Sequence, residues 1–338
     1  MRGVRFHQHG GLEVLKYEDA PDPVPEPGYA IIRVRACALN HLDLWERQGL
    51  PRVSFPLPHI SGSDVAGEIA DAEGFKPGQR VVLQPGLSCG RCPACVSGRD
   101  NLCPSYDVLG YMSEGGYAQF VKVPVANVVP IPDHISFAEA AAFPLTFLTA
   151  WHMLITVAGL RPGETVLVIA AGSGVGQAAI QIARFMGAHV LATAGSEPKL
   201  VHAREIGAEE AINHSAGPFA PEVKRLTGGR GVDVVVEHVG EATWEQSVRS
   251  LARGGRVVTC GATTGGTATL NLQHRCARQL SLLGSYMGRK GELLEAAHLF
   301  FTGRLRPVVD TTFPLSDAAA AQQRMERREH FGKIVLET

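Results

Sequence analysis

The sequence predicts an α/β protein made of a β-rich domain and a domain with a doubly wound parallel sheet. Three observations predict it. Up to residue 131 the apolar residues fall in short runs bounded by Gly and Pro. From residue 165 onward, apolar strands alternate with helical stretches. Between the first of those strands and its helix lies a glycine-rich turn, VLVIAAGSGVGQAAIQIARFMGA (166–188). At 338 residues the chain is longer than one ordinary domain, so two domains are the default.

In chain order, PDPVPEPG (21–28) is a surface loop, because proline cannot donate to a sheet ladder. YAIIRVRA (29–36), VAGEIA (65–70), RVVL (80–83), YAQFVKV (117–123) and NVVPI (127–131) are short strands, often alternating. Ser136 with Glu139 three residues later is a capping box, predicting a long alanine-rich helix from 136. Strands follow at 165–170, 189–194, 232–237, 255–260 and 280–285. Helices are expected at 174–187, 197–206, near 241–251 and near 289–302. These strands lack alternation, which implies a parallel sheet covered on both faces. No internal repeat or low-complexity tract appears.

Composition narrows the function. The chain is 45% hydrophobic and 19% charged, with a formal net charge of −1. No basic block or face appears, so nucleic acid is not an expected partner. No apolar stretch reaches the roughly 18 residues of a membrane span. The start, MRGVRFHQHGG, lacks the apolar core of a signal peptide, so a cytoplasmic location is expected. Of seven cysteines, four are clustered and Cys37, Cys260 and Cys276 are scattered. An odd count without an export signal argues against a disulfide framework.

The glycine turn lacks the full G-x-G-x-x-G. Its register is Ala171-x-Ser173-x-x-Gly176, with Gly172 and Gly174 between. Small residues still let the backbone approach a pyrophosphate, and a helix N-terminus still offers free N–H groups and a positive dipole end. A plain tight turn is the bland alternative. Placement after a strand, at the opening of a helix, favours dinucleotide binding by Ser173, Gly174, Val175 and Gly176. An NAD site usually places a carboxylate at the end of the second strand. Here ATAGSEPK (192–199) puts Ala194 there, with Ser196 and Lys199 placed to hold a 2′-phosphate. Glu197 is the opposing observation, although it also suits a helix N-terminus. NADPH is therefore expected over NADH.

SCGRCPACVSGRDNLC (88–103) holds Cys89, Cys92, Cys95 and Cys103 at C-x2-C-x2-C-x7-C spacing. A bacterial iron–sulfur run has three residues before its last Cys, not seven. A nucleic-acid-gripping zinc ribbon would have basic surroundings, which are missing. One structural zinc held tetrahedrally by four sulfurs fits better than either, and an empty thiol lobe is the remaining option.

Together these parts resemble the zinc-type medium-chain dehydrogenase/reductase superfamily, which includes alcohol dehydrogenases and quinone oxidoreductases, over essentially the whole chain. The resemblance implies a GroES-like catalytic domain over 1–145 and 289–338, with the zinc lobe at 86–104. It implies a Rossmann NADP(H)-binding domain over 146–288. FGKIVLET then looks like the last strand, returning to the catalytic domain. Alcohol-oxidising members hold a second, catalytic zinc through a Cys in A-x-G-[IV]-C-H-[ST]-D, a His in G-H-E, and a later Cys or acid. In ACALNHLD (36–43) Asn40 holds the cysteine's place and Leu42 that of the hydroxyl residue. In GSD (62–64) Ser63 replaces the histidine, and FPLTFLTAW (143–151) offers no ligand. Asn and Ser are poor zinc ligands beside Cys and His. His41, His59 and Asp64 lie close in sequence, but the two histidines are not at the family's ligand positions. N-x-x-D with GSDVAG instead resembles the quinone-oxidoreductase branch, whose members pass hydride from NADPH to quinones, enones or enoyl thioesters without a catalytic metal.

The resemblance also implies site residues. Asn40 is either a donor to a developing enolate oxygen or a brace for its loop. Thr149 matches a threonine beside the nicotinamide, or packs within its helix. Cys260, Gly261 and Ala262 bring backbone groups toward the carboxamide, and Ser285 and Met287 form the next contact region. His214 stands where quinone reductases often have Tyr near the 2′-phosphate, or is an exposed loop histidine. His41, Asp43 and Asp64 are candidates for proton delivery; the two acids also suit loop anchoring, and water is a sufficient proton source. Homodimers or homotetramers are expected, since the family pairs its coenzyme-domain sheets by their edges. Two other functions stay open: a zinc-containing alcohol or aldehyde dehydrogenase, and a non-catalytic NADPH-binding protein.

Overall fold

The computed structural model describes residues 1–338. It divides into two compact units, Met1–Leu145 with Arg289–Thr338, and Thr146–Gly288.

The first unit is organised around the strand Tyr29–Ala38, whose apolar residues Ala30, Ile32 and Val34 are buried against the unit's core. Seven strands form its main sheet. Their order runs Val309–Pro314, Lys333–Glu337, Tyr29–Ala38, Asp64–Asp71, Arg80–Leu83 and Val128–Pro130. Phe120–Pro124 pairs the first half of Tyr29–Ala38, and Lys333–Glu337 pairs its second half. Register decides what meets at one end of this sheet. Ala38 faces Asp64 on one side and Val335 on the other. Leu39 N–H donates to Ile334 O at 2.9 Å, continuing the ladder past the strand. Asn40, Asp64 and Lys333 are thereby brought to the same sheet end.

The second unit holds a six-stranded parallel sheet. Its order is Glu210–Asn213, His189–Ala194, Thr165–Val168, Val232–Glu237, Leu251–Thr259 and Ser281–Gly284. Numbered along the chain this is 3-2-1-4-5-6, the Rossmann order, so winding reverses between Thr165–Val168 and Val232–Glu237. Right-handed crossovers then send the helices to both faces. The apolar runs read from the sequence are buried here because both faces are covered.

The long helix expected from 136 is two helices, Phe137–Ala141 and Pro144–Trp151, followed by a π-helical stretch, His152–Val157. Pro144 has no N–H to continue the first helix and disfavours helical geometry at Phe143. It suits the opening of the second. The capping box itself forms, with Glu139 N donating to Ser136 Oγ at 3.2 Å. Among the elements that went unread are the hairpin of Arg2–Arg5 with Lys16–Asp19, the helices His41–Gln48, Phe219–Leu226, Leu272–Arg278 and Ala318–Glu326, and the strand Val309–Pro314. No helix is long and apolar enough to cross a membrane.

Candidate functional site

At the sheet end of the first unit, Lys333 Nζ donates to Leu39 O at 2.6 Å, Asn40 Oδ1 at 2.6 Å and Asp64 Oδ2 at 2.9 Å. Asn40 Nδ2 donates to the same Asp64 Oδ2 at 2.9 Å, and Leu145 N–H to Asp64 Oδ1 at 2.8 Å. Lys333 is 2% exposed and Asp64 0%, so the pair lies in a low-dielectric interior. Asn40 is also the N-cap of His41–Gln48. Its own N–H donates to Asp43 Oδ2 at 2.7 Å, and Tyr117 Oη donates to that oxygen at 2.8 Å. The N-x-x-D spacing is thus a helix cap as well as a family pattern.

Burial pushes the Asp43 carboxyl up to about 6, against the opposing pull of the Asn40 N–H, Tyr117 and Lys333. Burial, with Asp43 nearby, also raises Glu46 well above its ordinary range, and burial lowers His59 against the pull of its bond to Gly110 O. Glu46 Oε2 and His59 Nε2 lie 4.0 Å apart, and those shifts favour the neutral form of each, so this is not an ion pair. A carboxyl with a raised folded-state pKa binds more protons folded than unfolded. Its contribution to stability is therefore present below about pH 4 and lost as pH rises through about 6. Asp43→Asn keeps an oxygen for both donors and removes the titration. We expect the stability of Asp43→Asn relative to wild type to rise by up to about 3 kcal/mol between pH 4 and pH 7, read by denaturant titration across that range. A difference that is flat with pH would refute it.

Of the residues singled out in the sequence, Asn40, Asp43 and Asp64 meet here. Ser63 is fully buried, its hydroxyl without a hydrogen-bond partner. His41 and His59 do not join them. His41 sits edge-on to Trp45 with ring centres 6.1 Å apart, and burial lowers its pKa. His59 Nε2 bonds Gly110 O at 2.8 Å among Phe6 and Phe55. Lys333, Tyr117 and Glu46 were missed. The available signal for Lys333 was a lone lysine opening the apolar run FGKIVLET.

In the second unit the glycine turn lies where the sheet reverses. Ala170 leaves the strand at φ 53°, in the left-handed region. Ala170 N–H donates to Thr193 Oγ1 at 3.1 Å and Ala171 N–H to Thr193 O at 2.8 Å, tying the turn to the second strand. Ser173 caps the helix Gly174–Phe185, accepting from Gly176 N at 2.8 Å, and its Oγ lies 2.7 Å from His238 Nε2. A Cβ on Gly176 would collide with the Ala170 carbonyl oxygen, so the helix packs onto the strand end only with glycine there. The second strand ends at Ala194, as read from the sequence. His214 covers that end: its N–H donates to Ala194 O at 3.1 Å and its Nδ1 lies 3.2 Å from Thr193 Oγ1. Ser196 starts the helix Glu197–Glu205, which also carries Lys199, but its hydroxyl makes no cap bond. Glu197 is exposed, 3.9 Å from Arg204.

Beyond the carboxyl ends of the fourth to sixth strands a cavity of about 540 Å³ opens, lined by Gly240, Thr259, Gly261, Ala262 and Leu282 among others. Cys260 N–H donates to Glu237 O at 3.3 Å, and burial pushes the Cys260 thiol up to about 12, leaving it neutral. Ser285 N–H donates to Thr259 O at 2.8 Å, and Met287 adopts φ 50°. The hydroxyls of Thr149 and Ser285 are buried without hydrogen-bond partners. Such orphaned groups, with the glycine cradle at a strand-order reversal, fit a dinucleotide.

The four clustered thiols of the first unit place their sulfurs within 4.8 Å of one another, with 3.5 Å between Cys92 and Cys95 and 3.9 Å between Cys89 and Cys95. Tetrahedral zinc with Zn–S near 2.3 Å needs sulfur separations of roughly 3.8 Å. Backbone N–H groups of Arg91 and Cys92 hold the Cys89 thiol down at about 6. Cys92, although the Cys95 N–H lowers it, is pushed up to about 11 by burial and its neighbouring thiols. One thiolate thus opposes the next, and a dication removes that conflict.

Known proteins share this architecture. The family model described as "Alcohol dehydrogenase GroES-like domain" matches residues 26–133, and "Zinc-binding dehydrogenase" matches 174–302. A quinone oxidoreductase of Pongo abelii is 32% identical over 334 residues, covering 96% of this chain and 93% of its own. A crystal structure described as an NAD-dependent alcohol dehydrogenase is 48% identical, with TM-score 0.97 and 100% of both chains covered. A crotonyl-CoA carboxylase/reductase solved with NADP is 25% identical, with TM-score 0.93, covering 100% of this chain and 95% of that one.

Proposed function

This chain belongs to the zinc-type medium-chain dehydrogenase/reductase superfamily and is an oxidoreductase of it, and on that premise we propose an NADPH-dependent reductase of activated double bonds or carbonyls that works without a catalytic metal. The substrates would be quinones, enones or enoyl thioesters. The observation that carries this reading is the Lys333 ammonium bonded to Asn40 Oδ1 and Asp64 Oδ2. Asn40 and Ser63 are poor metal ligands, and the acid beside them is already neutralised by the chain's own cation.

NADPH, when bound, supplies a hydride to the β-carbon of a conjugated alkene. Water supplies the proton to the α-carbon, so the double bond gains two hydrogens. Asn40 directs its second Nδ2–H at the carbonyl oxygen, where negative charge develops. Asp64 acts as an anchor for Asn40. The orphaned hydroxyls of Thr149 and Ser285, with backbone groups of Cys260, Gly261 and Ala262 and the side chain of Met287, receive the nicotinamide end. Ser173, Gly174, Val175 and Gly176 hold the pyrophosphate. Ser196, Lys199 and His214 hold the 2′-phosphate, in keeping with the absence of a carboxylate at Ala194. The second reading, NADH, rests on the 48% identical structure described as NAD-dependent. Cys89, Cys92, Cys95 and Cys103 hold one structural zinc. The bare edge of Ser281–Gly284 supports a homodimer or homotetramer. A cytoplasmic protein with small-molecule substrates completes the proposal.

Steady-state kinetics test it. The expected result is turnover of an enone or quinone with a higher kcat/KM for NADPH than NADH, and one zinc per chain. Asn40→Ala should lower kcat at least tenfold, where the loss of one oxyanion donor costs about a hundred- to a thousandfold. Two zinc ions per chain with alcohol oxidation would instead support an alcohol dehydrogenase. Tight NADPH binding with no turnover of any substrate class would support a non-catalytic role.

A further inference from the structure

The mechanism above uses Asn40 and leaves Lys333 with no part in the chemistry. Yet Lys333 is the buried cation of the site, 2% exposed and bonded to three oxygens. An ammonium has three donors and no acceptor, and all three are matched here by Leu39 O, Asn40 Oδ1 and Asp64 Oδ2. A carboxamide has two faces of different kind. Rotating Asn40 by half a turn would aim its NH2 at the ammonium and its oxygen at the carboxylate, replacing two attractive contacts with two repulsive ones. Only one rotamer is therefore compatible with the pair, the one with Oδ1 on Lys333 and one Nδ2–H on Asp64. The other Nδ2–H is left with its direction fixed and no protein acceptor.

We propose that Lys333 is a positioning residue for the reaction: its ammonium, sitting between Asn40 Oδ1 and Asp64 Oδ2, fixes the Asn40 carboxamide in the orientation that presents an N–H to the substrate oxygen. The cation reaches this place from a strand more than 250 residues downstream through the register Val335–Ala38. It also neutralises Asp64 from within, so that the site keeps a dry, preorganised donor rather than a mobile amide. The proposal rests on the reading of Asn40 as a substrate donor.

The test uses the full chain in three forms: wild type, Lys333→Met, and Lys333→Met/Asp64→Asn. Methionine keeps the apolar volume and removes the charge. The double variant removes both charges of the pair, so that its fold does not depend on an unpaired buried carboxylate. With NADPH and an enone, the double variant is expected to fold with a melting temperature close to wild type and to lose at least tenfold in kcat. Its KM for NADPH should stay within about twofold, since the cofactor residues are untouched. Full kcat in Lys333→Met or in the double variant overturns the proposal, and a loss in Lys333→Met, which keeps the Asp64 anchor of Asn40, assigns the effect to the lysine. A second readout is independent of turnover. With asparagine labelled by 15N, the two Asn40 Nδ2–H signals should be distinct and slowly exchanging in wild type and should shift together and broaden in Lys333→Met, or in the double variant if the single one does not fold. Unchanged signals overturn the role of Lys333. Failure of the wild type to reduce any enone or quinone overturns the proposed activity instead, and the carboxamide signals then decide the positioning claim alone.

Discussion

Asp64→Ala is expected to destabilise the first unit by about 3–5 kcal/mol, the effect of leaving a buried charge without its partner. The carboxylate accepts from Asn40 Nδ2, Lys333 Nζ and Leu145 N–H and is fully buried. Truncation leaves the Lys333 ammonium with two neutral acceptors, Leu39 O and Asn40 Oδ1, and leaves the Leu145 N–H with none. The orphaned N–H alone costs about 1–3 kcal/mol. Coulomb attraction does not make this pair a net source of stability, because both ions were first taken out of water. The prediction concerns breaking the pair, and removing both charges should cost far less. Denaturant titration of Asp64→Ala beside Lys333→Met/Asp64→Asn separates the two. A loss below about 1 kcal/mol in the single variant would mean that water reaches the pair.

Gly176→Ala is expected to weaken NADPH binding at least tenfold while leaving the first unit intact. The added methyl would collide with the carbonyl oxygen of Ala170 and lie 2.8 Å from Ser173 Oγ. The first obstacle is backbone, and the second is the hydroxyl that caps the helix. The helix Gly174–Phe185 must move away from the strand end, and its N–H groups then miss the pyrophosphate. Ser173 also loses its bond from Gly176 N, a cap worth about 1 kcal/mol. Fluorescence titration with NADPH measures the change. An unchanged dissociation constant would show that the turn adapts and that its glycine serves packing alone.

The parallel sheet was legible because most of its strands contain a short apolar run such as Val166–Val168 or Val234–Val236, a pattern that local sequence carries. The sheet end around Asn40 was only half legible. Asn40, Asp43 and Asp64 drew notice through their spacing, and the cap on His41–Gln48 was present in that same spacing, unread. Lys333 was invisible for a physical reason. Its role depends on pairing with a strand from the other end of the chain, and no window of sequence contains both partners. Tyr117 escaped in the same way, since its partner Asp43 lies 74 residues away. The proline that splits the helix after Ser136 was visible in the sequence but outweighed by the alanine run around it.

The strand Lys333–Glu337 lies inside its sheet, between Tyr29–Ala38 and Val309–Pro314. During synthesis the second half of Tyr29–Ala38 therefore emerges early with a bare ladder edge, and its partner follows much later, Lys333 lying 293 residues beyond Asn40. The second unit is one continuous stretch and can close its sheet in the interval. The nascent first unit has to be kept from pairing with other chains across that delay. When the late strand docks, the residue at its head delivers the positive charge that Asp64 awaits. Completion of the sheet and delivery of that charge to Asp64 are thus one event, and a chain that stalls before it carries an unfinished sheet and an unpaired carboxylate together.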